Sequence, residues 1–195
     1  QNGIASGLPG RSVVAAPAPQ KPAGSKKRQI RATYGEFVSE SLMFEEGAFA
    51  SRLEGWEKII RDFDPHLIIA EYAPCLSLFA RGRWPVLALG TGYTMPPPEM
   101  ATFPPITTLK RPLYATEPEL IDRLNKGLGR IGAQPIERLP QLNEADAHGL
   151  VTIPIFDPYR PQRQQPYLGV EIPGGSPSPL PTASGGIAYF HEDAQ

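Results

Sequence analysis

The 195-residue sequence has a single cysteine, three histidines and almost no net charge. Each shortage excludes something. One thiol, Cys75, cannot form an internal disulfide, so no disulfide framework is expected and the chain fits a reducing compartment; a cytoplasmic location is expected. Within "APCLSLFA" the thiol reads as a small buried side chain rather than a nucleophile. His66, His148 and His191 are far apart and share no HxxxH or Cys/His spacing, so no metal site is expected. No apolar run approaches the roughly 18 residues that a membrane helix needs, and no signal peptide is visible, so no transmembrane segment is expected. With 19 basic against 20 acidic residues the formal charge is -1. That leaves no electrostatic footprint for nucleic acid or an anionic membrane. The local exception, Lys26-Lys27-Arg28 with Arg31, reads as a solvated loop.

Signature loops are missing too. There is no Walker loop and no GxSxG elbow. The "GTG" of Gly90–Gly92 has no third glycine in register and runs into prolines rather than a helix. No dinucleotide fingerprint is therefore assigned, and no nicotinamide or other cofactor is expected.

Proline is in excess, at 24 residues. The prolines cluster in Pro17–Pro22, in Pro96–Pro105 and between Pro154 and Pro181. Each cluster marks semi-rigid irregular backbone, because proline fixes φ and supplies no N–H. Val13–Ala16 is a short strand candidate cut off by prolines. Ile30–Ala50 has a loosely helical pattern. Ser51 and Glu54 form a capping-box pair opening the next helix, with Leu53, Trp56, Ile59/Ile60 and Phe63 as its buried stripe.

The most regular portion follows. Leu67–Ala70 reads as a strand, Ala73–Arg81 as a helix and Pro85–Leu89 as a second strand. Continuous apolar strands around a helix predict a parallel sheet covered on both faces. Thr116 and Pro118 open another helix, with Leu120, Leu124, Leu128 and Ile131 on its apolar face and Gly132 as its stop. Leu150–Ile153 and Ile187–Phe190 read as further strands, and Ile172–Gly186 as a linker by composition.

Glu71 is the informative acid, because an apolar strand runs straight into it. One expectation is that it caps the following helix, its charge lying near the helix N-terminus. The other is catalytic: a carboxylate there orients a histidine that takes a proton from an alcohol. His66 precedes the same strand and belongs at its opposite end, about 15 Å away at roughly 3.3 Å per residue.

The stretch "DFDPHLIIAEYAPCLSLFARGRWPVLALGTGYTMPPPEMATFPP" resembles the amino-terminal domain of GT-B glycosyltransferases of the UDP-glycosyltransferase-like family, which includes macrolide and sterol glycosyltransferases. The shared pattern is a strand ending in an acid, a helix carrying "AR", a strand "PVLALG" and a "GYTMPP" loop. "QPYLGVEIP" is similar to the close of that domain, and "IAYF" to the first strand of the family's nucleotide-sugar domain. The resemblance implies an α/β, Rossmann-like parallel sheet with flanking helices over residues 30–168. It implies irregular chain over 1–29, a linker over 169–186 and the start of a carboxyl-terminal domain over 187–195.

The implied activity is transfer of a sugar, with inversion, from a nucleotide-sugar co-substrate to a hydroxyl of a small lipophilic acceptor. Glu71 falls on the family's supporting-carboxylate position, where Asp is commoner, and so is the catalytic candidate. Tyr72, Thr91, Gly92, Tyr93, Thr94, Met95, Pro96 and Pro97 fall on the acceptor-binding loop. The family's opening "GH" strand and its donor domain are not in the sequence. The chain is therefore expected to be an inactive acceptor-binding portion that needs a carboxyl-terminal domain or second chain, with homo-oligomerisation through an open sheet edge as a further expectation. The alternative expectation is a non-catalytic Rossmann-like binding or assembly module.

Overall fold

The computed structural model describes residues 14–17, 32–42, 47–107, 116–170 and 187–189. Lys26–Arg28, Arg31, His191 and the linker over 171–186 lie outside the described residues.

The chain has an α/β fold. Helices α1 (Tyr34–Leu42) and α2 (Ala48–Phe63) precede strand β1 (Ile68–Glu71). Helix α3 (Pro74–Ala80) leads to β2 (Val86–Gly90), and α4 (Glu117–Arg130) precedes β3 (Ala147–Leu150) and β4 (Ile187–Tyr189). All strand pairs are parallel and the order is β3-β2-β1-β4. The chain therefore steps outward through β1, β2 and β3, then returns to the far side of β1.

Alternation along the strands defines two unlike faces. Ile68, Ala70 and Val86 are buried and join one apolar core with Leu53, Trp56 and Ile60 of α2, Leu76, Leu78 and Phe79 of α3, and Leu120, Leu124 and Leu128 of α4. Ile69, Leu87 and Leu89 point the other way and are half-buried. The described helices thus load one face, where the apolar strands predicted cover on both. Leu168, 65% exposed, reaches the other face, where a Cβ at Gly149 would lie 3.2 Å from its Cδ1 and 2.4 Å from Leu89 Cδ2.

The helix ends show which local signals hold. At α4 the expected opening at Thr116 holds, and the structure closes it with a capping box: Thr116 Oγ1 accepts from Glu119 N–H, and Thr116 N–H donates to Glu119 Oε2 at 2.8 Å. Gly132, at φ 62°, follows its end. At α2 the expectation fails, because the helix begins at Ala48 after the left-handed Gly47, and Ser51 is an ordinary exposed residue of its first turn. Of the α2 stripe, Phe63 is 39% exposed rather than buried. Val14–Ala16 is not a strand. The β3 strand lies three residues before the expected Leu150–Ile153, because β2 ends at Gly90 and only Val151 N–H still finds an acceptor there, Gly90 O at 2.8 Å.

Two glycines of α4 separate packing from propensity. A Cβ at Gly127 would lie 2.5 Å from Cδ1 of the buried Phe49, whereas a Cβ at Gly129 meets nothing within 4 Å. Replacing a helical glycine by alanine gains up to about 1 kcal/mol of propensity, while overpacking costs roughly 1–3 kcal/mol. Gly129→Ala is therefore expected to raise, and Gly127→Ala to lower, the midpoint of urea unfolding.

Candidate functional site at the carboxyl edge of the sheet

Three segments meet beyond the carboxyl ends of the strands: Glu71–Pro74 after β1, Thr91–Pro98 after β2, and Val151–Arg163 after β3. The loop after β2 is internally tied. Thr91 N–H donates to Thr94 Oγ1 at 2.9 Å, Thr94 N–H donates back to Thr91 Oγ1 at 3.3 Å, and Met95 N–H donates to Thr91 O at 3.1 Å. The prolines then remove both donors and torsional freedom from the next turn, and Pro96, Pro97 and Pro98 are buried.

That loop is clamped from the third segment by a buried ion pair. The Asp157 and Arg163 side chains are 0% and 2% exposed. Arg163 donates twice to the carboxylate, Nε to Oδ2 at 2.8 Å and Nη2 to Oδ1 at 3.0 Å. Its remaining donors reach the loop backbone, Nη1 to Met95 O at 2.8 Å and Nη2 to Gly92 O at 3.2 Å. Tyr167 Oη and Tyr159 N–H donate to Asp157 at 2.8 and 3.0 Å. Gly92 has to be glycine here, since a Cβ would sit 2.8 Å from Asp157 Cα. Burial alone would raise the Asp157 carboxyl; the hydrogen bonds from Arg163, Tyr159 and Tyr167 outweigh it and hold the carboxyl below the usual aspartate range.

An aromatic group stands in front of the loop. Phe37 lies 5.8 Å from Tyr72 and 6.2 Å from Tyr93, ring centre to centre. Tyr34 packs edge-on beneath, 6.4 Å from Tyr93 and 5.1 Å from Phe103. Phe37 and Tyr93 are 37% and 38% exposed, so the group has a solvent-facing apolar surface. Tyr34 is fully buried and donates its hydroxyl to Thr94 O at 2.8 Å. Burial first, and then the neighbouring phenols of Tyr72, Tyr159 and Tyr93, push the Tyr34 hydroxyl well above the ordinary tyrosine range.

The expected site residues divide between two places. Tyr72, Thr94 and Met95 line a hollow of about 20 Å³ with Ala73, Ser77 and Asn143, room for about one water molecule. Glu71 does not line that hollow; it follows Ala70 on the opposite face of β1 and is half-buried. Among the described residues no hydrogen bond or ion pair engages its carboxylate. Ala73 is the N-cap of α3 and no side chain hydrogen-bonds there, so Glu71 makes no capping hydrogen bond to that helix. Tyr72, directly after Glu71, has φ 45°, a left-handed conformation costly for a bulky side chain. Thr91 and Tyr93 are exposed, and Gly92 is buried under Asp157.

His66 is exposed at the amino end of β1, away from this edge. Cys75 is buried, and burial pushes its thiol up to about 12, consistent with an inert packing role. Among the described residues there is no group of three metal-ligating side chains, and no helix is long and apolar enough to cross a membrane. Sequence reasoning missed Asp157, Arg163, Tyr34 and Phe37. The clamp joins two residues six apart to carbonyls about seventy positions away, which leaves no periodic trace. Tyr34 and Phe37 are spaced i, i+3 in a helix and could have been grouped as one face.

Comparison with protein-family models, with curated proteins and with solved structures finds no match.

Arg163→Met leaves the Asp157 carboxylate buried without its cation and is expected to cost roughly 3–5 kcal/mol in urea unfolding. The pH dependence has a definite sign. With the folded carboxyl below its unfolded value of about 3.9, the pair contributes fully above that value and is lost as pH falls through the lower, folded one. The thermal midpoint of the wild type should therefore fall on acidification below the ordinary aspartate range, and Asp157→Asn should flatten that component of the profile.

Proposed function

We propose that this chain is the acceptor-binding portion of a glycosyltransferase with a Rossmann-like amino-terminal domain, moving a sugar from a nucleotide-sugar donor to a hydroxyl of a small lipophilic acceptor. The observation that carries the reading is the position of Glu71. Its unengaged carboxylate ends β1, the strand at which the sheet order reverses, and ligands of open α/β sheets lie beyond the carboxyl ends of strands at such a reversal. The half-exposed rings of Phe37 and Tyr93 supply an apolar wall beside that edge, and the clamped proline loop holds the wall in place.

On this reading the acceptor rests against the aromatic wall with its hydroxyl toward a histidine base supplied by another part of the enzyme. Glu71 accepts the imidazole N–H on the far side of that base, fixing its tautomer and stabilising the imidazolium formed as the alcohol is deprotonated. The nucleotide-sugar site likewise belongs to another part of the enzyme. The acceptor oxygen attacks the anomeric carbon, the bond to the nucleotide breaks, and the proton remains on the base. The likeness to UDP-glycosyltransferase-like enzymes in the stretch from Asp64 to Pro105 supports the same assignment.

The test joins this chain to a nucleotide-sugar-binding domain and a donor of the histidine-bearing strand, then follows transfer of labelled glucose from UDP-glucose or TDP-glucose to a panel of hydrophobic alcohols. Transfer is expected with the complete assembly and not with the chain alone. In that assembly Glu71→Gln should lower kcat by roughly 10²-fold or more while changing the acceptor KM little. Full activity of Glu71→Gln, or transfer by the unassisted chain, would overturn the reading.

A further inference from the structure

Ser77 and Asn143 line the hollow of about 20 Å³ beside Tyr72, and both are more than nine-tenths buried, at 6% and 9% exposed. Neither side chain is satisfied. The Asn143 Nδ2 is sealed without a hydrogen-bond partner, and no hydrogen bond among the described residues engages the Ser77 hydroxyl. Buried polar groups are nearly always partnered, so two unpartnered ones lining the same hollow point to a guest. Their backbones are fixed. Ser77 N–H donates to Ala73 O at 2.9 Å within α3. The 3-10 turn Leu139–Asn143 is tied to β3 by a 2.9 Å bond between Asn143 O and His148 Nε2. Among the described residues no hydrogen bond holds the Asn143 carboxamide, so it can turn by half about its last torsion and present either N–H or carbonyl.

The hollow sets size, charge and direction. Its volume suits about one water-sized atom. No Asp, Glu, Lys, Arg or His lines it, so a charged group would lose its water there without compensation. It is partly open, and Tyr72 belongs both to its lining and to the aromatic group. The Tyr72 ring lies 5.8 Å from that of Phe37, which is 37% exposed. An apolar body resting on Phe37 and Tyr93 therefore has this polar recess at its margin, just past Tyr72.

We propose that the hollow is a one-oxygen subsite. It takes a single neutral oxygen, hydroxyl or carbonyl, from a ligand whose apolar body rests on the aromatic group, and Asn143 and Ser77 are its hydrogen-bond partners. Water takes the place when the ligand carries no such oxygen. Glu71 is on the opposite face of β1, so this oxygen is not the one that would react there. The subsite thus narrows the acceptor to a lipophilic molecule with a second neutral oxygen. That last step rests on the acceptor-site reading; the subsite itself does not.

Benzyl alcohol and toluene, alike in their rings and differing by one hydroxyl, serve as probes, titrated into the isotope-labelled chain and followed by NMR. Both should perturb Phe37 and Tyr93. Benzyl alcohol alone should shift the Asn143 side-chain amide, and it should bind roughly three- to tenfold more tightly than toluene, the worth of one neutral hydrogen bond. Asn143→Leu and, separately, Ser77→Ala should each reduce that preference and leave toluene binding unchanged. Ser77→Ala should also not lower the melting temperature, because it deletes a hydroxyl without a partner. Equal binding of the two probes, an Asn143 amide that benzyl alcohol leaves unmoved, or a preference that survives Ser77→Ala would each overturn the inference. The last of these decides the matter even where Asn143→Leu fails to fold. Equal binding with Phe37 and Tyr93 perturbed would leave the acceptor-site reading standing, with water keeping the hollow; silence from both rings with both probes would count against both. A preference for benzyl alcohol beside an assembled enzyme that transfers no sugar would keep the subsite and remove only the acceptor's part in it.

Discussion

The carboxyl edge of this sheet depends on one buried ion pair. Asp157 and Arg163 exclude water from each other's charge and spend the surplus donors on two backbone carbonyls, those of Gly92 and Met95. A buried pair of this kind is a poor source of net stability, because desolvation offsets most of the attraction. Its value here is positional. A proline-rich loop has few donors with which to hold itself, and the guanidinium supplies them from outside. Without the pair, the segments after β2 and β3 have no reason to keep a common register, and the aromatic surface built on Tyr93 loses its footing.

That surface and the core beneath it divide the work of the chain. The helices concentrate their apolar side chains on Ile68, Ala70 and Val86, so the scaffold is rigid on one side of the sheet. The opposite side, where Ile69, Glu71, Leu87 and Leu89 alternate outward, is only partly covered. Glu71 therefore stands at a boundary. Its backbone is fixed by pairing with β2, while its carboxylate is uncommitted among the described residues. The left-handed conformation of Tyr72 turns the chain sharply there, so that strand, acid and aromatic ring are presented in succession on three consecutive residues.

Much of the scaffold was legible in the sequence because its signals are local. The apolar runs of β1 and β2, the helix start at Thr116 and the Leu120–Leu124–Leu128 stripe each depend on neighbours within a few positions, and each formed as expected. The start of α2 was misread because the left-handed Gly47, at φ 88°, is its N-cap, which leaves Ser51 inside the first turn with no end to cap. The placement of β3 was misread because "LVTI" is more apolar than "AHGL", yet a strand extends only as far as its neighbour does, and β2 stops at Gly90. The clamp was invisible for a different reason. It is made of contacts between residues about seventy positions apart, and nothing in the composition of either segment names the other.

The return of the chain to β1 has a consequence for biosynthesis. Strand β2 follows β1 closely and can zip onto it early, but β4 is made more than a hundred residues later. At ordinary translation speeds that gap is on the order of ten seconds, during which one flank of β1 lacks its eventual neighbour while the nascent chain is already collapsing. Until β4 emerges, that flank of β1 is an unpaired edge on which a foreign strand can add.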